Sequence, residues 1–423
     1  MPFKPDRFTK NFGSIDLEKA IEIIETHIKD QPVTLFLPAT YNDATNESMD
    51  NIVKTISESR INKLLNRIII GLDQAPTKKQ YEEIVRRTSS LENRIIMWTD
   101  APEMKRLYKK MRSEKLNLKP GKGRNVWLGL GLKYQLDILE GGRANAIILH
   151  DCDIRPETYD ENIILSLMYP LVNPKADVHF VKAAYERITT DQKGRKKFAG
   201  RVVRLHLIPL IGALERTYKD ISRVGEFMNY LRSFEYLLSG EFGMSPELAD
   251  RIPVQTDWGL EIGTLGFLFK TPYKIAQVRI GKNNVYDHKH SEVSPSNPRK
   301  GLNLMACEVT KTILRKLYSL ASERMLSDEK FQALLTYYMN EGNTQIDKYF
   351  EISQARGLDY SALEERKMLT VFKKSIINAI NEFKKNPGGI KPLPSWYDAN
   401  PKYRKELADI VLSYNKDYTL RKL

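Results

Sequence analysis

Four short apolar runs constrain what this chain can fold into more than any other feature. Residues 33–37 (VTLFL), residues 67–72 (RIIIGL), Arg94–Trp98 (RIIMW) and Ala146–Leu149 (AIIL) are largely continuous in apolar character, and each gives way to a more polar segment. Runs of this kind suit strands covered on both faces. Between them lie segments with helical spacing: residues 16–29, where Leu17, Ile21, Ile24 and Ile28 share one face, then residues 78–91 and residues 125–139. The alternation predicts an α/β fold, a Rossmann-like, mainly parallel sheet flanked by helices. In open sheets of this class ligands bind beyond the carboxyl ends of the strands, which here are the polar loops after Leu37, Leu72 and Leu149.

Further along, residues 177–204 mix a strand (VHFVKAAY) with a charged, Gly-containing turn (DQKGRKKFAGR), and residues 205–239 read as largely helical. Residues 278–281 and the polar run 282–298 close the core. Beyond Leu302 the spacing is helical to Phe383, with a break at Pro387-Gly388-Gly389 and at 392–394. We expect a catalytic unit over residues 1–300 and a helical extension over residues 301–423. The exposed face of that extension packs on the core, pairs with a second copy in a homodimer, or faces water.

A chain of 423 residues with 41% hydrophobic and 28% charged residues folds in water and is neither a disordered segment nor a rod. Its 67 Lys+Arg against 53 Asp+Glu leave a net charge of +14. That charge also fits nucleic-acid binding, but the basic residues are spread along the chain without a zinc-finger, RRM or homeodomain pattern, so no nucleic-acid partner is expected. Cys152 and Cys307 are too few for a disulfide scaffold and suit a reducing, cytoplasmic compartment. The N-terminal MPFKPDRFTKNFGSID carries charges where an export signal is apolar. No apolar run approaches the roughly 20 residues that span a bilayer, so no membrane partner is expected.

The sharpest chemical signal is Asp151-Cys152-Asp153, directly after the AIIL strand. Two carboxylates one residue apart at a strand end can share one hard divalent cation, Mg²⁺ or Mn²⁺. The plainer reading is that Arg155 or a nearby Lys neutralises them, or that Asp153 caps a helix. Upstream, Lys119-Pro120-Gly121-Lys122-Gly123-Arg124 sets basic side chains around two glycines at a helix start. Free helix N–H groups and the Lys122 charge there suit a phosphate, though this is no Walker A loop. In Asp287-His288-Lys289-His290 two His alternate, so His288 could complete a cation shell.

Taken in order, these segments resemble the GT-A fold nucleotide-sugar glycosyltransferases that make glucosyl-3-phosphoglycerate. The segment Leu37-Pro38-Ala39-Thr40-Tyr41-Asn42 is similar to that family's Pro-Ala-Leu-Asn-Glu, Gly121-Lys122-Gly123 to its Gly-Lys-Gly, and Asp151-Cys152-Asp153 to its Asp-x-Asp. Gly200-Arg201-Val202 resembles its Gly-Arg-Val acceptor loop. Leu238 to Phe242 (LSGEF) resembles its Leu-x-Gly-Glu-Tyr, and Gly259-Leu260-Glu261-Ile262-Gly263 its Gly-Val-Glu-Ile-Gly. The match spans about residues 33–298 and departs at Thr40-Tyr41, at Val203 in place of Thr and at Phe242 in place of Tyr.

The resemblance implies a retaining, Mg²⁺- or Mn²⁺-dependent transfer of glucose from UDP- or GDP-glucose to 3-phosphoglycerate, without an enzymic nucleophile. It implies Asp151, Asp153 and His288 at the metal. Pro38, Ala39, Thr40, Asp73, Lys122, Asp151 and Cys152 fall to the nucleotide sugar, and Gly200, Arg201, Val202 and His290 to the acceptor. Glu241 and, more weakly, Asp257 are expected to bind sugar hydroxyls or orient the acceptor, whereas Glu261 reads equally well as a buried carboxylate paired with Arg. A sister activity on the same fold would use glycerate as acceptor or a mannose donor.

Overall fold

The computed structural model describes residues 9–191, 193–281, 285–288, 293–294, 297, 300–322 and 327–420. Eleven strands occur among them: β1 (Thr9–Ser14), β2 (Val33–Thr40), β3 (Arg67–Asp73), β4 (Arg94–Trp98), β5 (Ala146–Leu149), β6 (Phe180–Ala184), β7 (Glu186–Thr190), β8 (Lys196–Phe198), β9 (Phe242–Met244), β10 (Ile275–Arg279) and β11 (Val285–Tyr286). Eight of these make the main sheet in the order β1-β10-β6-β9-β5-β2-β3-β4. Every neighbouring pair is parallel except the two made by β9, which runs antiparallel between β5 and β6. A small second sheet joins β11 and β8 to either side of β7.

The four apolar runs are β2 to β5. Their side chains are buried on both faces; Ile68, Ile69 and Ile70 of β3 have no exposed surface. The predicted mainly parallel sheet with flanking helices is therefore present, and a helical C-terminal region follows it. Strands β1 and β9 were not predicted. The first reads TKNFGS, which carries no apolar pattern because β1 is an edge strand with a single buried residue, Thr9. The second is three residues long and is defined by the strands on either side of it.

The C-terminal helices, Gly301–Ala321, Asp328–Arg356, Ala362–Lys385 and Pro401–Tyr414, fold back onto the sheet layer. Asn415 bonds both the N–H and the carbonyl of Ile96 on the free side of β4. Such contacts occupy backbone groups that an edge strand otherwise leaves open to another chain. Trp396 stacks on Trp127 with ring centroids 4.0 Å apart. Its indole N–H donates to the Trp127 carbonyl at 2.6 Å, while the Trp127 indole N–H donates to the Pro394 carbonyl at 2.7 Å. Both rings are buried, so this pair forms an apolar seal between the last segment and the long helix Lys122–Leu139. Trp396→Ala is expected to lower the unfolding free energy by about 3–5 kcal/mol through the void it leaves. Urea unfolding followed by circular dichroism measures this, and a loss below about 1 kcal/mol would show that the seal is carried elsewhere.

Candidate active site

The carboxyl ends of β2, β3 and β5 open into one cavity of about 550 Å³. The loops after Leu37, Leu72 and Leu149 thus meet as the sheet topology requires. Pro38, Ala39, Thr40, Asp73, Lys122, Asp151, Cys152, Asp153, Gly200, Arg201, Val202, Asp257 and His288 all line it. His290 lies outside the described residues.

At the centre is a charge group. Lys122 opens the helix Lys122–Leu139, capped by Gly121, whose φ of 137° is a backbone state that side-chain-bearing residues seldom adopt. The Lys122 ammonium lies 2.6 Å from Asp151 Oδ1 and 3.3 Å from Glu261 Oε1. Burial acts to lower the Lys122 pKa, but the Asp151 and Glu261 carboxylates outweigh it, so the lysine is held charged. Burial likewise opposes ionisation of Asp151, and the Lys122 charge overcomes it. Gly240 makes the approach possible: a Cβ there would sit 2.5 Å from both Asp151 Oδ2 and Lys122 Nζ. The partner of Glu261 is therefore Lys122, where the sequence suggested an Arg.

Asp153 is in the opposite position. Burial, then the Asp151 and Asp43 carboxylates, push its pKa up to about 7. His288 reaches it through β11, whose pairing with β7 leads into a single bridge between His288 and Ile154, and places Nδ1 3.7 Å from Asp153 Oδ2. Arg155, the plainer candidate for neutralising the pair, is engaged with Asp287 at 2.9 Å instead. Among the described residues no three His, Cys, Asp or Glu side chains form a ready-made metal cage. Crowded carboxylate oxygens with an imidazole alongside do fit Mg²⁺ or Mn²⁺, which commonly take one or two protein carboxylates and fill their shell with water and substrate phosphates.

Glu241 lies behind the wall and not on it. It is fully buried, with Oε2 accepting from the Tyr185 hydroxyl at 2.8 Å and Oε1 from Tyr286 at 2.7 Å. Burial and the Asp151 charge raise its pKa against those two hydrogen bonds. Asp257 Oδ1 accepts from the Gly259 N–H at 2.9 Å and so shapes its own loop. Asp73 is buried and accepts from Arg124 at 2.8 Å and from the Thr99 hydroxyl at 2.8 Å. Burial and the flanking carboxylates raise the Cys152 thiol well above its usual range, so it is a neutral lining group.

Several lining residues carried no clear signal in the sequence. Thr40 caps the short helix Tyr41–Ala44, its hydroxyl accepting from the Asp43 N–H at 3.2 Å and donating to Asp43 Oδ2 at 2.6 Å, a Thr-x-x-Asp spacing that a capping search could have found. Arg187 on β7 pairs with Asp287 at 3.3 Å and sits beside Gly200 and Tyr236 in the cavity. Glu308, on the helix Gly301–Ala321, ties the basic loop to the Asp257 loop: it accepts from Lys119 at 3.3 Å and from the Trp258 N–H at 3.0 Å.

A mainly parallel sheet with an Asp-x-Asp and a basic helix start at its strand ends fits a glycosyltransferase that uses a nucleotide sugar. No protein-family model matches the chain. It is 34% identical over 391 residues to a glucosyl-3-phosphoglycerate synthase of Persephonella marina, across 92% of this chain and 91% of that one. It is 29% identical over 416 residues to a synthase of the same description from Methanococcoides burtonii, across 96% of each. The chain belongs to the glucosyl-3-phosphoglycerate synthase family. Among solved structures it is similar to the glucosyl-3-phosphoglycerate synthase of Mycobacterium tuberculosis in complex with Mn²⁺ and UDP-glucose, with a TM-score of 0.48 and 19% identity over 75% of this chain and 87% of that one. It is also similar to mannosyl-3-phosphoglycerate synthase of Rubrobacter xylanophilus, with a TM-score of 0.49 and 20% identity over 74% and 82%.

One buried group beside the site gives a pH signature. His206, about one turn after Arg201-Val202, has its pKa pushed down to about 3 by burial. The unfolded chain takes up this proton near pH 6.5. The stability that neutral His206 contributes is therefore complete above that pH and is lost as the pH falls toward 3. Comparing the unfolding free energies of His206→Asn and the parent between pH 7.5 and 4, the parent's advantage should shrink steadily below pH 6.5. Parallel curves would remove His206 as a source of acid sensitivity.

Proposed function

We propose that this chain transfers glucose from a nucleoside-diphosphate glucose, UDP- or GDP-glucose, to 3-phosphoglycerate, forming glucosyl-3-phosphoglycerate with retention at the anomeric carbon. The observation that carries the reading is the meeting of Lys122, the Asp151–Asp153 pair and Arg201 in one cavity. In this reading the first-turn N–H groups of the helix Lys122–Leu139 and the Lys122 ammonium hold the diphosphate. Asp153 and His288 hold Mg²⁺ or Mn²⁺, with Asp151 beside it and bonded to Lys122. When bound there, the ion supplies Lewis-acid neutralisation of the leaving diphosphate.

Pro38, Ala39, Thr40 and Asp73 take the nucleoside end. Gly200, Arg201 and Val202, with Arg187 behind them, take the acceptor, whose carboxylate and phosphate match two guanidinium groups. Glu241, which the cavity does not expose, acts through the phenols of Tyr185 and Tyr286 and through its charge on the Asp151 side. In this reading no enzymic nucleophile is required, and the acceptor proton passes to the departing phosphate oxygen on the same sugar face. Cys152 and Cys307 are buried thiols outside any disulfide, which accords with the cytoplasmic setting we propose, and a homodimer is the assembly we propose for it.

Asp153→Ala is expected to reduce transfer on the order of 10²-fold or more with an unchanged circular dichroism spectrum. Calorimetric titration with Mn²⁺ in the presence of the nucleoside diphosphate should lose its heat in the variant. Full turnover in excess chelator, or unaltered Mn²⁺ binding, would defeat the metal assignment. For the acceptor, Arg201→Ala should raise the KM for 3-phosphoglycerate roughly tenfold or more, as loss of a charged hydrogen bond requires, and barely alter any glycerate reaction. A panel of UDP- and GDP-glucose and -mannose against 3-phosphoglycerate, glycerate and buffer reads this directly; equal losses on both acceptors refute the role of Arg201.

A further inference from the structure

The segment that carries Arg201 and Val202 is held from behind by three separate C-terminal helices. After Gly200 the chain enters a turn of π-helix, Val202–Leu207. This form is rare and is frequent at functional sites. The groups that hold it here are distant in sequence. Arg204 is buried and bonds Glu365 of the helix Ala362–Lys385 through both terminal nitrogens, at 2.6 and 3.1 Å. Its Nε donates back to the Ala199 carbonyl at 2.8 Å, and its guanidinium lies 4.8 Å from the Tyr349 ring centroid. His206 Nε2 is 2.9 Å from the Thr310 hydroxyl of the helix Gly301–Ala321. The Tyr338 hydroxyl, from the helix Asp328–Arg356, donates to the Leu205 carbonyl at 2.7 Å.

We infer that Glu365 is a positioning residue for the acceptor: by fixing Arg204, it sets the backbone of residues 200–203 and so the aim of Arg201. The inference rests on the reading of Arg201 as an acceptor ligand. Its physical basis is that a buried guanidinium tolerates no loss of its counter-charge. Without the Glu365 carboxylate the buried Arg204 charge loses the partner that fixes it, and with it the brace that its Nε gives the Ala199 carbonyl just before Gly200. A shift of about 1 Å in a binding group is enough to cost up to about 10²-fold in reaction efficiency. The bidentate geometry also fixes direction as well as distance, since a planar fork pairs with a carboxylate in few orientations.

The test is a kinetic split. Glu365→Gln preserves shape and removes charge; Tyr338→Phe removes one tie alone. The first should raise the KM for 3-phosphoglycerate roughly tenfold or more while the donor KM stays within about twofold, and the second should give a smaller change in the same direction. Asn415→Ala, which cuts an equally buried C-terminal contact at the far end of the sheet, should lower the unfolding midpoint and leave the acceptor KM unchanged. Hydrogen exchange across residues 198–208 should rise in Glu365→Gln and not in Asn415→Ala. An unchanged acceptor KM in folded Glu365→Gln, or equal losses for donor and acceptor, overturns the inference. Should the parent itself give no response to 3-phosphoglycerate, the acceptor reading fails, and unchanged exchange across 198–208 then overturns the clamp independently.

Discussion

Carboxylates gathered at the end of a buried strand persist only where positive charge is brought to them, and the arrangement around Lys122 and Asp151 follows from that requirement. The strand β5 supplies Asp151 and Asp153 because its apolar run ends there. The helix that follows Gly121 supplies the ammonium, and Gly240 in the turn before β9 leaves the room in which the two meet. Removing any one of these disturbs the others, because each charged group is stable in its place through its neighbour. Asp153, pushed up to about 7 by burial and its acidic neighbours, marks where this internal compensation stops.

Much of this was legible beforehand because it depends on local pattern. Arg94–Trp98 and Ala146–Leu149 form strands at the residues read from their apolar runs, since a strand buried on both faces must be apolar throughout. Lys122 and Arg201 stood out as charged residues beside glycine, and Asp151 as a carboxylate just past the end of an apolar strand. What escaped was set by distant pairing. β1 is polar and β9 too short to carry a period; both owe their state to the strands they join. Arg187 and Glu308 look like ordinary surface charges until the fold brings Asp287 and Lys119 to them. Glu241 has a sequence setting like that of a reacting group, yet two tyrosines from β6–β7 and β11 enclose it.

The helices after residue 300 carry no motif of their own, but they complete the machinery in two ways. Glu308 joins the basic loop to the Asp257 loop on one side of the cavity, and Glu365, Thr310 and Tyr338 hold the π-helical turn on the other. The sheet alone therefore presents ligand-binding loops without fixing their relative placement. This division is consistent with the general pattern in which a rigid frame supplies position and loops supply chemistry.

Order of synthesis gives the placement of these helices a temporal meaning. A ribosome releases the β-strands first, and N-terminal units fold as they emerge, so a sheet bearing Lys122 and the Asp151–Asp153 pair can exist before the wall made by Gly301, Leu302, Met305 and Glu308 has been translated. A nascent chain at that stage holds the charged floor without its far side. A chain synthesised only as far as residue 300 would lack both that wall and the Glu365 tie to Arg204.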